Sequence, residues 1–94
     1  MQTTKVDGKN KKNKVFLYTL STCGWCKKTK ELLKEKEIAY EYLDLDQADK
    51  ENQKAAVEEL KAKNLPIGFP IIMINEDKVI QGYKRDEILE ALEL

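Results

Sequence analysis

Apolar residues gather in short blocks along this chain, set apart by charged or turn-forming segments. Val15-Phe16-Leu17-Tyr18 is a continuous apolar run and predicts a strand buried on both faces of a helix-covered sheet. A loop follows over 19–22, with Ser21 or Thr22 as the candidate helix cap. Thr29, Leu32 and Leu33 then recur at helical spacing, with Lys27, Lys28, Lys30 and Glu31 mostly outside, predicting a helix from Gly24 to Lys36. Ile38 to Leu45, with Tyr40 and Tyr42 on one face, reads as a second strand. Asp46 or Asp49 can cap a helix from Lys50 to Lys63, whose inner seam is Gln53, Ala56, Val57 and Leu60. Asn64 ends that helix, and Pro66 forbids its continuation. Pro70 to Ile74 predicts a third strand and Val79 to Gln81 a fourth. The connection over 75–78 is too short for a parallel crossover, so these two strands are antiparallel. Gly82 breaks the fourth strand. Arg85 to Leu92 closes the chain as a helix with Ile88, Leu89 and Leu92 inward.

The order is β-α-β-α-β-β-α, an α/β architecture whose first half forms a right-handed βαβ unit. It predicts a four-stranded mixed sheet flanked by three helices. Ninety-four residues suffice for one core. The expected organisation is a flexible basic arm over 1–13 and one domain over 14–94. The arm carries Lys5, Lys9, Lys11 and Lys12 among polar residues and reads as a segment without a fold of its own. Its functional alternative is an electrostatic docking arm for an acidic partner. Basic and acidic residues balance at 17 each, which gives no argument for nucleic acid as a partner. The start of the chain has no apolar signal region. The longest apolar run, Phe69 to Ile74, is too short to cross a membrane. The expectation is a cytoplasmic monomer.

The candidate chemistry lies in Cys23-Gly24-Trp25-Cys26, directly after the first strand and holding the chain's two cysteines. Residues three apart meet on one face of a helix. That spacing suits a thiol–disulfide exchange pair: one thiolate attacks a disulfide, and the second attacks the mixed disulfide that results. With no histidine and two cysteines, one chain could complete a zinc site only with carboxylates. A purely structural disulfide here would close a very small loop and constrain the unfolded chain little. Cys23 falls at or just before a helix N-terminus, where partial positive charge favours thiolate. Trp25 lies between the cysteines, either covering the disulfide and packing on a partner or resting as a partly buried surface ring.

This element order, with Cys-Gly-Trp-Cys after the first strand and Phe69-Pro70 before the third, resembles a glutaredoxin, within the thioredoxin superfamily. Tyr18-Thr19, the dithiol motif, Tyr42-Leu43-Asp44-Leu45, Phe69-Pro70 and Gly82-Tyr83 occur in the order the family has them, covering residues 14–93. The resemblance implies a thioredoxin-like fold and a thiol–disulfide oxidoreductase. It makes Cys23 the nucleophile and Cys26 the resolving thiol, with no metal and no organic cofactor. It implies a cis bond before Pro70, which on the residue alone reads as an ordinary trans proline at a strand start. Phe69 would then offer its backbone to substrate. Gly82-Tyr83 matches the family's glycine turn, where the backbone can approach a ligand closely. Trp25, Phe69, Pro70, Gly82 and Tyr83 are the candidate substrate-binding residues.

The chain departs from the family in ways that bear on its electron supply. Where many glutaredoxins carry a cation three residues before the first cysteine, Leu20 stands here. Gly68-Phe69-Pro70 replaces the usual Thr-Val-Pro. Tyr83-Lys84-Arg85-Asp86 follows the glycine turn and is closer to the glutaredoxin-like redoxins that support ribonucleotide reductase. The resemblance therefore implies a protein disulfide reductase of the thioredoxin-reductase type as electron donor, with glutathione as the alternative reductant, and disulfide-containing proteins, ribonucleotide reductase among them, as substrates. A second reading is iron–sulfur cluster binding by a cysteine-bridged dimer. A third is an interaction module with a silent disulfide.

Overall fold

A computed structural model describes residues 3–65 and 68–93. Its strands are β1 (Thr4–Val6), β2 (Val15–Thr19), β3 (Tyr40–Asp44), β4 (Ile71–Ile74) and β5 (Lys78–Gln81). Its helices are α1 (Gly24–Glu35), α2 (Lys50–Ala62) and α3 (Arg85–Ala91), with a 3-10 turn at Leu45–Gln47. The strands form one mixed sheet in the order β1-β3-β2-β4-β5. β2 runs parallel to β3, as a βαβ unit requires, and the other pairings are antiparallel.

The unbroken apolar runs of β2 and β4 follow from burial on both faces. Val15, Leu17, Ile72 and Ile74 point to one side and pack with Leu32 and Leu33 of α1 and Ile88 of α3. Tyr18, Ile71 and Met73 point to the other and pack with Ala56 and Leu60 of α2. Both central helices end on a non-glycine residue in the left-handed region, Glu37 (φ 56°) and Asn64 (φ 56°). Each is followed by a buried-side closure, Ile38 N–H to Leu33 O at 2.9 Å and Leu65 N–H to Leu60 O at 2.9 Å. The stop assigned to Pro66 lies outside the described residues.

The sheet has five strands rather than the four expected, because part of the supposed arm joins it. Thr4–Val6 pairs with the free edge of β3. Asn10 then exchanges backbone hydrogen bonds with Glu37 and Ala39. Gly8 makes this approach possible: a Cβ there would lie 2.6 Å from Ala39 N and from Glu37 O. Three of the arm's four lysines face acids of the same chain, Lys9 with Glu37, Lys11 with Asp7 and Lys12 with Glu93. These pairs are exposed and add little stability. They do neutralise much of the charge that a docking arm would present.

Candidate active site

The end of β2 delivers the chain to the dithiol through a short loop. Neither Ser21 nor Thr22 caps α1. Cys23 does so itself: its backbone is extended, and its Sγ accepts the Cys26 N–H at 3.2 Å. Ser21 is committed elsewhere, its amide donating to Asp46 Oδ1 at 2.8 Å and its hydroxyl to the same carboxylate. That pair fastens the loop to the 3-10 turn. The Cys23 amide donates to Leu20 O at 3.1 Å, and the Cys23 carbonyl accepts from Lys27 N at 3.1 Å to start the helix.

The two sulfurs occupy different surroundings. Cys23 is half-buried at the helix entrance, and Cys26 is fully buried one turn inside. Burial pushes the Cys26 thiol up to about 12, with its hydrogen bond to Cys23 acting in the same direction. A Leu20 backbone hydrogen bond and the charge of Lys30 oppose the rise. Cys26 is therefore held as a neutral thiol at neutral pH, while Cys23 Sγ accepts the Cys26 N–H at the helix N-terminus.

The remaining candidates are linked to one another and, through Trp25, to the dithiol segment. Trp25 is 57% exposed, the one exposed large apolar side chain among the described residues. Its ring stacks on Tyr83, with centroids 5.8 Å apart and planes 21° apart. Lys28 Nζ lies 5.2 Å from the Trp25 ring. Gly82, just before Tyr83, has φ +90° and donates its N–H to Pro70 O at 2.8 Å. Apart from its two chain neighbours, no residue comes within 4 Å of where a Gly82 side chain would begin, so the turn presents open backbone. The Phe69–Pro70 bond is cis. Phe69 and Leu20 both rest against the α2-side core.

Lys30, expected outside with its neighbours, is turned inward. It is 21% exposed and stands 3.0 Å from Asp44 Oδ1. Asp44 also accepts the hydroxyl of the buried Thr19. The pattern gave no hint of this pairing, because Lys30 lies in a run of lysines and Asp44 at a strand end. A groove of about 450 Å³ opens on the α2 side, between Phe16, Tyr18, Met73 and Glu59, and includes none of the residues above. Among the described residues no three Cys, Asp or Glu side chains gather to hold a metal ion. Among them also, no helix is long and apolar enough to cross a membrane.

Known proteins resemble this chain in sequence and fold. Residues 15–80 match the family model described as Glutaredoxin. A glutaredoxin-like 8.6 kDa protein of the Clostridium pasteurianum rubredoxin operon is 36% identical over 79 residues, covering 84% of this chain and 97% of that protein. The glutaredoxin of Methanosarcina mazei superposes with a TM-score of 0.84 at 36% identity, covering 100% of this chain and 90% of its own. Methanosarcina acetivorans methanoredoxin gives 0.76 at 36% identity, covering 86% and 85%. With the family model spanning most of the chain and the dithiol in place, this chain belongs to the glutaredoxin family.

Proposed function

We propose that this glutaredoxin reduces protein disulfides by a dithiol mechanism, with Cys23 as nucleophile and Cys26 as resolving thiol. The asymmetry of the two sulfurs carries the reading: Cys23 caps the helix at its half-exposed entrance, and Cys26 is buried behind it. Cys23 thiolate attacks one sulfur of the substrate disulfide and expels the other as thiolate. Cys26 loses its proton to solvent and attacks Cys23 Sγ. The mixed disulfide breaks, the second substrate thiol leaves, and Cys23–Cys26 forms. Two protein thiols are oxidised and one disulfide is reduced. The Trp25–Tyr83 stack and the Gly82 turn hydrogen-bonded to Pro70 support an extended peptide as the substrate, with the Phe69–Pro70 backbone as its pairing edge.

The electrons come from a protein disulfide reductase rather than from glutathione. Leu20 supports this choice: it is apolar, half-buried against the α2-side core and supplies no cation for a glutathione carboxylate. Burial of Cys26 counts against a cluster shared between two chains, since its sulfur is withdrawn from the surface. The test is turnover of a model disulfide with reduced glutathione compared with a thioredoxin-reductase system. Turnover with the protein reductase and a rate near background with glutathione is expected. Efficient turnover with glutathione alone would overturn the donor assignment.

A further inference from the structure

A partly buried cation lies on the same face of α1 as the resolving sulfur. Lys30 follows Cys26 by four positions, so the two are neighbours along the helix surface. Its Nζ stands 3.0 Å from Asp44 Oδ1, with the two side chains 21% and 18% exposed. The same nitrogen lies 3.8 Å over the Tyr42 ring. Asp44 is held in turn by the hydroxyl of Thr19, at the end of β2. Lys27 and Lys28, on the same helix, remain exposed. Withdrawing an ion pair from water costs desolvation that its mutual attraction offsets poorly. Stability therefore gives a weak reason for folding this one lysine inward.

The chemistry gives a stronger one. After Cys23 has formed a mixed disulfide, Cys26 must ionise inside the protein before it can attack. We propose that Lys30 is a positioning residue for that step, its ammonium held by Asp44 and Tyr42 where it favours the Cys26 thiolate. The proposal rests on the dithiol mechanism above. The direction of its influence on Cys26 agrees: the Lys30 charge opposes the rise caused by burial.

A symmetric nitrobenzoate disulfide separates the two steps, because each thiolate it releases is coloured. Attack by Cys23 releases one equivalent and leaves the other half on Cys23. Attack by Cys26 on Cys23 Sγ releases the second equivalent and forms the intramolecular disulfide. If losing the Lys30 charge lowers the thiolate fraction about tenfold, the greater nucleophilicity of a more basic thiolate returns roughly half of that on a logarithmic scale, leaving a net slowing of about threefold. Stopped-flow traces of Lys30→Met should show the second release slowed by that factor and the first unchanged. Lys30→Arg should retain the wild-type second phase. Asp44→Asn keeps an acceptor oxygen but removes the opposing charge, so its second phase should be at least as fast as wild type. A wild-type second phase in Lys30→Met overturns the proposal. So does an equal slowing in Lys30→Arg, or a slowed second phase in Asp44→Asn, either of which marks the pair as a tether only. The Asp44→Asn result stands even if Lys30→Met does not fold. Release of a single equivalent by the wild type is a different failure, that of the dithiol reading itself.

Discussion

Two cysteines of one type, three residues apart, are made unlike by where the first turn of α1 places them. Cys23 caps the helix and remains accessible, whereas Cys26 is sealed and held neutral. At neutral pH a small alkylating reagent should modify Cys23 and spare Cys26 until the chain is unfolded, as peptide mass mapping would show. Comparable modification of both in the folded protein would contradict the assigned burial. The same asymmetry links to stability. An unperturbed cysteine thiol ionises at 9.0, whereas Cys26 in the folded chain ionises at about 12. A group whose folded value is raised contributes stability that is present below its unfolded value and lost as pH rises towards the folded one. The reduced protein should therefore lose stability as pH climbs from 9 towards 12. Burial raises the Tyr18 phenol too and adds to the same slope. Urea midpoints across that range should fall more steeply for wild type than for Cys26→Ala, and equal slopes would exclude the linkage. Trp25 makes a third contrast. Because its ring is largely exposed, Trp25→Ala should change stability by less than about 1 kcal/mol. Its KM for a protein disulfide should rise severalfold while that for a small disulfide stays put. Parallel changes for both substrates would remove Trp25 from the docking surface.

Elements differ in how openly the sequence declares them. The apolar runs of β2 and β4 and the seams of α1 and α2 announce themselves, because burial on one or two faces leaves a periodic trace. β1 leaves none: Thr4-Lys5-Val6 is three residues long and mostly exposed. Its strand character comes from the free edge of β3, which no local pattern encodes. The cap of α1 is obscured for a related reason, since Ser21 and Thr22 have the better capping side chains, yet Asp46 claims Ser21 from a distant turn. Lys30 is hidden because its partner, Asp44, is brought to it by the βαβ crossover. The dithiol is legible from its own spacing, whereas the cis bond at Pro70 and the role of the glycine turn are legible through family resemblance, not through periodicity. Gly8 offers a direct test at this scale. Forcing a Cβ against the Glu37–Ala39 backbone should make Gly8→Ala less stable by about 1–3 kcal/mol, the usual range for overpacking. An unchanged urea midpoint would mean that residues 4–10 do not hold to the sheet in solution.

At the scale of the whole molecule, the fold sets a redox helix between a sheet and a loop surface. α1 is anchored by Leu32 and Leu33 in the core it shares with α3. Its N-terminus carries Cys23 as the cap and sets Trp25 against Tyr83. The stack between Trp25 and Tyr83 and the hydrogen bond from Gly82 to Pro70 join three separate parts of the chain, one of them the dithiol segment. The proposed mechanism has the two thiols act in sequence, Cys23 first and Cys26 second. The most direct test is an intact-mass measurement of wild type, Cys23→Ser and Cys26→Ser, each reduced and then exposed to one equivalent of a small disulfide. Cys26→Ser should carry one adduct, on Cys23; wild type should carry none and weigh two hydrogens less; Cys23→Ser should remain unmodified. An adduct on Cys26 in Cys23→Ser, or a lasting adduct on the wild type, would contradict the assignment of nucleophile and resolving thiol.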